Sequence, residues 1–536
     1  MTKKTNNHWP VSVLSSVSSL LNLLLPLVLV RLIERDQIGI YKLFFLYLMV
    51  VPELCLSGGL VNGLAYWAGR GRRGLRAIQL TGTLILLLAL FSGALLFVFR
   101  ADLAELLGVS QNTMLAFSAA AAGSVAAVFF EESTIVRGAV WKAAIFMALS
   151  DVVRVLAMLA AAFYYRDVEA VLYTFSLFTL LKAGIGYTLA YKMKSFRPVL
   201  DRSSVWPVVT YAFPVALAGV FGLLVSHADQ FVLSATLKTD EFALYALGCL
   251  LVPPLLILEH SVVRVLIPEL SRIFENFKSQ KARQTGKEFY KNAISQLGLV
   301  IIPSFFGLLV FADPIVRLLY TDRYSAAAPY LMLFSFSYLF LIIPFDAVAR
   351  ARGEAHWIMS RTVTFALIGL MLCSLLAYEF GAIGALSGML LTKALMRTYS
   401  LSYTRRVTGW KIREFLPLRD LGIYLAVSMA LALVALSGRA FGAEGLGWFA
   451  VYGGFFALSY FPLVFFIMGR LSQRDNPRIM IVLPSLQIGG LERLVLTLSK
   501  GLKEKGHYVL VYAYDQPDLA EDHLLNEQFN AAGVPV

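Results

Sequence analysis

The sequence predicts an all-α polytopic membrane protein, with fourteen transmembrane helices in two six-helix bundles plus two extra helices, followed by a short α/β fragment. Three observations predict it. Hydrophobic residues make up 58% of the 536 residues and charged residues only 15%, against about 45–50% and about 25% in a soluble domain. The apolar residues gather into runs long enough to cross a bilayer. The last 60 or so residues change character altogether. So few charges exclude a soluble globular protein, and so much to bury excludes a disordered chain. Three cysteines, Cys55, Cys249 and Cys373, exclude a disulfide scaffold and sit in apolar runs as small hydrophobes.

A hydrocarbon core of about 30 Å takes about 20 helical residues. The fourteen runs cover 11–33, 40–67, 78–99, 114–136, 143–164, 168–190, 206–235, 242–268, 292–312, 327–349, 358–378, 382–403, 421–438 and 446–468. Very short turns make hairpins of 143–164 with 168–190 and of 358–378 with 382–403. Lys3 and Lys4 precede the first run, but no small-residue cleavage site appears before Arg31, so the run reads as a retained span and not a signal peptide. Pro26, Pro52, Pro214, Pro253, Pro254, Pro303 and Pro344 lie in or near the runs. Pro253-Pro254 is expected to kink or unwind the eighth.

Charge sets the orientation. With the N-terminus inside, the inner segments hold 29 basic residues and the outer loops eight. The excess alternates loop by loop, as the positive-inside rule requires. Both ends of the membrane region are therefore expected in the cytoplasm. The formal net charge of +13 divides accordingly. Residues 475–536 carry five basic and eight acidic groups, and the membrane region carries 42 and 26. The excess is a topology signal and excludes a nucleic-acid footprint.

A segment repeats. Leu32-Ile33-Glu34-Arg35-Asp36-Gln37-Ile38-Gly39-Ile40-Tyr41 is echoed by Thr236-Leu237-Lys238-Thr239-Asp240-Glu241-Phe242-Ala243-Leu244-Tyr245, 204 residues and six spans later. An even offset keeps both copies in one orientation. It implies two bundles, 1–205 and 206–410, related by an axis along the membrane normal, with 411–474 holding two additional helices and a linker. Two like bundles around a midplane cleft are a common transporter plan.

These residues resemble the polysaccharide flippases of the multidrug/oligosaccharidyl-lipid/polysaccharide exporter superfamily. The likeness lies in Arg31 with Gly39-Ile40-Tyr41, in Ser57-Gly58-Gly59-Leu60, in Asp229 with Asp240 and Tyr245, and in the turn Leu318-Leu319-Tyr320-Thr321-Asp322-Arg323-Tyr324-Ser325-Ala326-Ala327. It spans roughly residues 11–410. It departs at Phe242-Ala243-Leu244-Tyr245, where a glycine commonly precedes the tyrosine. The resemblance implies a substrate, an oligosaccharide on a polyprenyl diphosphate, moved between leaflets of a bacterial or archaeal cytoplasmic membrane during polysaccharide biosynthesis, as for O-antigen. It also implies no cofactor, and as partners the bilayer, H⁺ or Na⁺, and other polysaccharide-assembly proteins.

A diphosphate crossing a low-dielectric region needs fixed cations. Once the 29 inner and eight outer basic residues are set aside, five remain within the runs: Lys42, Arg154, Lys182, Arg264 and Lys393. Each costs about 2.5–3.5 kcal/mol at mid-bilayer on insertion scales, so each should face a cavity or a partner. Arg264 can snorkel, Lys42 can reach an interface, and Arg154 can pair with Asp151 one turn away. Lys182 and Lys393 lie deeper with no local acid. With Arg31 these six are the candidate substrate-binding residues. Among the in-span acids Glu53, Glu131, Glu132, Asp229, Glu259 and Asp346, the candidates for ion coupling are Asp229 with His227, Glu259 beside His260, and Asp346. Glu131 and Glu132 read better as internal salt-bridge partners.

Residues 475–536 belong to another kind of protein. Arg478 to Leu483 reads as a buried parallel strand, Leu491 to Lys505 as a helix with apolar residues at 491, 494, 495, 498 and 502, and Tyr508 to Tyr512 as a second strand. The run Pro484-Ser485-Leu486-Gln487-Ile488-Gly489-Gly490-Leu491-Glu492-Arg493 resembles the N-terminus of family 4 retaining glycosyltransferases, built of two Rossmann-like domains. The resemblance implies that Gly489 and Gly490 form a loop near the active cleft. About 60 residues cannot make either domain, so this tail is expected to catalyse nothing. The chain is thus expected to be a transporter and no enzyme. The alternatives are a drug or small-molecule exporter of the same superfamily, or a bifunctional flippase–glycosyltransferase on a longer chain. A membrane glycan polymerase or ligase is disfavoured by the short outer loops.

Overall fold

The structure is a computed structural model that describes residues 21–22, 24–68, 71–199, 202–275, 277, 279–344, 346–440, 445–472, 478–483, 490–504, 508–513, 528–529 and 531–534. It is nearly all helical. In chain order the main helices are α1 (Arg35–Leu48), α2 (Val51–Leu54), α3 (Ser57–Ala68), α4 (Gly71–Val98), α5 (Arg100–Leu107), α6 (Gln111–Val136), α7 (Val140–Tyr165), α8 (Val168–Lys192), α9 (Arg202–Ser234), α10 (Thr239–Gly248), α11 (Pro253–Glu275), α12 (Gln280–Val310), α13 (Ala312–Tyr320), α14 (Ala328–Leu339), α15 (Ala347–Ala351), α16 (Ala355–Thr408), α17 (Leu418–Ala440) and α18 (Gly454–Ser472). Eleven helical stretches among the described residues are long and apolar enough to cross a membrane, or twelve if α10 and α11 count as one bent span. About half of the first expected run, residues 11–20 and 23, lies outside the described residues. Of it, residues 21–22 and 24–32 are helical.

Local chemistry explains the joints. Gly108 ends α5 in the left-handed region at φ 63, and the Ser110 hydroxyl caps α6 by accepting from the Thr113 N–H at 3.0 Å. Arg166 turns α7 into α8 at φ 49, which closes the first expected hairpin. α16 has 54 residues, about 80 Å of helix, far more than a bilayer needs. It folds back at Gly381, φ 58 and ψ −141. Its two arms pack so closely that a Cβ at Gly384 would strike the Leu376 carbonyl. Trp357 stacks on Tyr403 across the arms, with ring centroids 3.9 Å apart. This is the second expected hairpin.

The prolines act as expected in one place and differently in another. The eighth run breaks before Pro253, where α10 and α11 meet at 51°, because prolines have no N–H to give and tolerate only the first helical positions. The second run was expected as one helix and is three pieces. Pro52 opens α2, and Leu56 takes φ 57 before α3 starts. α9 carries Pro207 and Pro214 inside it yet departs from helical geometry at His227, φ −133 and ψ 20.

Two hydrophobic cores organise the membrane region. One gathers α1 and α3 to α9 around residues such as Leu80, Phe129 and Leu172. The other gathers α9 to α18 around Tyr245, Tyr290 and Phe415. Each borrows from the far side: Leu43 and Leu46 join the second core, while Ala243 and Leu247 join the first. The two copies of the repeated segment cause this exchange, because α1 and α10 pack on each other. A Cβ at Gly39 would strike the Thr239 carbonyl.

The tail forms a β-α-β unit. β1 (Arg478–Leu483), α19 (Gly490–Glu504) and β2 (Tyr508–Ala513) follow in order, and the strands pair parallel with Arg478 opposite Tyr508 and Leu483 opposite Ala513. A continuous apolar strand and a helix of period 3.6 give this pattern. Val495 and Leu496 of α19 pack on Val509 and Val511. Gly490 opens α19, and Gly489 lies outside the described residues.

Candidate functional site

The in-span charges collect into three buried clusters and one seam. In the first half, the Lys182 ammonium lies 2.7 Å from Glu131 and 3.6 Å from Asp151. Arg154 reaches the same Asp151 at 3.3 Å, donates to Asn22 at 3.0 Å, and lies over the Phe175 ring at 5.3 Å. Two cations and two acids from α6, α7 and α8 therefore share one site. Lys182 has no acid within a turn on its own helix, as expected, and finds two on neighbouring helices. Its partners are distant in sequence and adjacent in space, because α6 and α7 both flank α8. Glu131 is the internal salt-bridge partner it was expected to be.

The second cluster sits where the halves meet. Asp229 is 1% exposed and accepts a hydrogen bond from the Tyr245 hydroxyl, while its Oδ1 has no hydrogen-bond partner. His227 lies at the irregular turn of α9 with its Nδ1 buried and unpartnered. Lys393 from α16 stands in electrostatic range of Asp229, His227 and Cys249, and lies 6.0 Å from the Phe334 ring centre. Lys42 from α1 approaches Cys249 from the other side. For Lys393 too, an acid is at hand that its own helix does not supply. Cations from both halves thus converge on Cys249, and one of them, Lys393, also reaches the buried Asp229.

The third cluster lies in the second half. Asp346 accepts a hydrogen bond from the Arg361 guanidinium and pairs with Arg350 at 3.6 Å. Arg361, 4% exposed, also donates to the Ser400 hydroxyl at 3.1 Å and lies 5.1 Å from the Trp357 ring. Arg397 stands in electrostatic range of Asp346 and Glu259. Arg361 and Arg397 count among the inner-segment charges, yet Arg361 is buried and Arg397 half-buried. A signal was present, since both lie within the expected runs 358–378 and 382–403. Glu259 lies 3.5 Å from the exposed His260. Arg264 is exposed and makes no ion pair among the described residues.

The seam joins the halves at the repeated segments. Arg35 and Asp240 pair at 2.8 Å, and the Tyr47 hydroxyl lies 2.7 Å from Ser234 Oγ. Arg31 donates to the Leu318 and Leu319 carbonyls at 2.9 Å each, as well as to Leu27. Those carbonyls end α13 and have no intrahelical partner, so Arg31 serves as their cap. Alongside, an apolar cavity of about 540 Å³ is lined by residues including Leu43, Tyr47, Leu54, Leu103, Phe117 and Leu224. Among the described residues no group of three His, Cys, Asp or Glu is placed to hold a metal ion.

Comparison with known proteins agrees with this architecture. A family model described as polysaccharide biosynthesis protein matches residues 28–329. The probable low-salt glycan biosynthesis flippase Agl15 of Haloferax volcanii is 22% identical over 236 residues, which cover 41% of this chain and 45% of the relative. The match thus spans less than half the length of that curated protein. Among solved structures, the lipid II flippase MurJ in an inward closed conformation superposes with a TM-score of 0.68 at 15% identity, over 86% of this chain and 99% of that one. An inward-facing multidrug resistance MATE transporter of the MOP superfamily gives 0.57 at 13% identity, over 73% and 94%. At such identities the likeness is one of fold.

Proposed function

The chain belongs to the family of polysaccharide biosynthesis proteins, and from that premise we propose that it is a flippase moving polyprenyl-diphosphate-linked oligosaccharide across the cytoplasmic membrane by alternating access. The observation that carries the reading is the convergence of Lys42 and Lys393, one from each half, on Cys249, which also lies in electrostatic range of the buried Asp229. Fixed cations in low dielectric at a junction of two bundles suit a mobile diphosphate. Lys182 and Arg154 are tied to acids, and Arg31 caps a helix, which leaves them as second-rank binding residues. Asp229, with His227 beside it, is the coupling site for H⁺ or Na⁺, and Glu259 and Asp346 follow it.

The bundles are 1–205 and 206–410, with 411–474 adding two helices. Counting the arms of α16 separately, taking α10 with α11, and adding the first run brings the spans to fourteen. The charge pattern supports cytoplasmic termini. The parallel β-α-β unit supports reading 475–536 as the start of a glycosyltransferase domain. A small-molecule exporter is the second reading, favoured by the wholly apolar character of the 540 Å³ cavity wall apart from Tyr47 and Thr113.

Reconstitution in liposomes tests the choice. Fluorescent prenyl-diphosphate oligosaccharide should cross at a rate that falls at least tenfold in Lys393→Ala and Lys42→Ala, with unchanged melting temperature. Transport of lipophilic cations in place of the glycolipid would select the exporter reading.

A further inference from the structure

Glu53 lies where the second apolar run breaks. Val51–Leu54 is an isolated helical turn, and Leu56 takes a left-handed φ before α3 begins. The break carries the Glu53 side chain into a niche walled by two glycines from different halves of the chain, Gly58 of α3 and Gly219 of α9. A Cβ at either position would overlap the Glu53 carboxylate. One residue on, a Cβ at Gly59 would strike the Ala212 carbonyl, so α3 and α9 touch backbone to backbone. A half-buried carboxylate therefore occupies the seam at one of its closest approaches.

Among the described residues no salt bridge reaches it. The elements packed against α2 are α1, α3, α6 and α9. Their charged and titratable groups are Arg35, Asp36, Tyr41, Lys42 and Tyr47 on α1, Tyr66 on α3, Glu131 and Glu132 on α6, and Arg202, Tyr211, His227 and Asp229 on α9, where Arg202 is the first residue of the helix, 17 positions before Gly219. Arg35 pairs with Asp240 and Glu131 with Lys182.

We propose that Glu53 is a proton-binding site coupled to the substrate, taking up a proton when a lipid diphosphate enters the seam and releasing it when the halves part. This rests on the flippase reading. An ionised Glu53 repels a diphosphate in a low-dielectric seam, whereas the protonated carboxyl is neutral and has a hydrogen bond to donate. Coupling of this kind is reciprocal: the anion strengthens proton binding as much as the proton strengthens anion binding. Lys42 and Lys393 offer the anion ammonium donors, and Glu53 offers a negative charge that can be withdrawn. The glycine niche makes the site specific to the packed state, since it exists only while Gly58 and Gly219 face one another.

The test uses the purified full chain, wild type and Glu53→Gln, with melting temperature checked for both. Calorimetric titration with farnesyl diphosphate in two buffers of different ionisation enthalpy reports proton uptake per ligand. Wild type should exceed Glu53→Gln by at least half a proton. In parallel, dicyclohexylcarbodiimide attacks protonated carboxyls in apolar surroundings, and mass spectrometry locates the adduct. Labelling of Glu53 should rise several-fold from pH 8 to pH 6, and Gly219→Ala, which fills the niche, should abolish the rise. Equal proton uptake by both proteins overturns the coupling, and pH-independent labelling overturns the proton site. Failure of both proteins to bind farnesyl diphosphate, with pH-dependent labelling intact, overturns instead the flippase reading and with it the coupling.

Discussion

Arg35 and Asp240 pair at 2.8 Å, and they come from the two copies of one repeated segment, each in the first turn of its helix. The copies dock on each other, so the repeat builds the contact between the halves. Both side chains are more than a third exposed, and a pair this open contributes about 0–1 kcal/mol. The geometry of the seam therefore matters more than the charge. Asp240→Ala should change melting by no more than a degree or two. Arg35→Cys with Asp240→Cys, bridged by a short reducible bis-methanethiosulfonate, should hold the seam shut and stop transport, which a reductant should restore. Undiminished transport in the bridged protein would show that the seam does not open in the cycle.

Gly39 sets how near α1 and α10 lie. Any side chain there meets the Thr239 backbone, which cannot swing aside as a flexible side chain could. Overpacking of this kind costs about 1–3 kcal/mol. Gly39→Val should lower the melting temperature and cut the yield of the 35–240 bridge by more than half. Gly39→Ser should lie between.

Lys182 separates structure from substrate binding. It neutralises Glu131 and Asp151 in a site only 13–14% exposed. Removing one partner of a buried pair costs about 3–5 kcal/mol. Lys182→Met should sharply lower melting temperature, and adding Glu131→Gln should restore much of it together with transport. A substrate role predicts the opposite for transport, with stability restored and activity still lost.

Asp229 has one carboxylate oxygen held by the Tyr245 hydroxyl and one unpartnered. Asp229→Asn keeps the hydrogen bond and removes the charge. Transport should lose its dependence on Na⁺ or on the pH gradient while the protein stays folded. Tyr245→Phe should retain the dependence but shift the ion concentration that half-saturates it. An unchanged ion response in Asp229→Asn would remove the residue from the coupling role.

Much of this was legible in the sequence, and the gaps have physical causes. Helices need about 20 apolar residues in a bilayer, so most of the runs from 78 onward became single helices, the eighth and tenth being broken near their prolines, and Arg166 and Gly381 turned the two expected hairpins. The repeat identified segments that prove to touch. The strand, helix and strand of the tail followed from periodicity alone. Lys182 was different, because its partners are set by which helices are neighbours, and no spacing along α8 records that. Leu56 takes a left-handed φ without being glycine or asparagine, so nothing in its type announced the break that places Glu53. Arg361 and Arg397 stand inside expected runs but count with the inner-segment charges, and only the packing of α16 shows that Arg361 is buried and Arg397 half-buried.

Asp346 and Arg361 offer the sharpest stability test, because α16 reaches back to hold the short helix α15. Arg361 is 4% exposed, and beyond Asp346 it engages Ser400 and the face of Trp357. A guanidinium can donate in two directions and stack at once, and an ammonium cannot. Arg361→Lys should therefore keep the charge on Asp346 and still lose the Ser400 bond and the stack, costing about 1–2 kcal/mol. Arg361→Ala leaves Asp346 to Arg350 at 3.6 Å, an exposed partner, and should cost nearer 3–5 kcal/mol. Combining Arg361→Ala with Asp346→Asn should recover more than half of that loss in thermal melts. If the double variant melts no higher than Arg361→Ala alone, the arginine acts through its packing on Trp357 and not through the carboxylate.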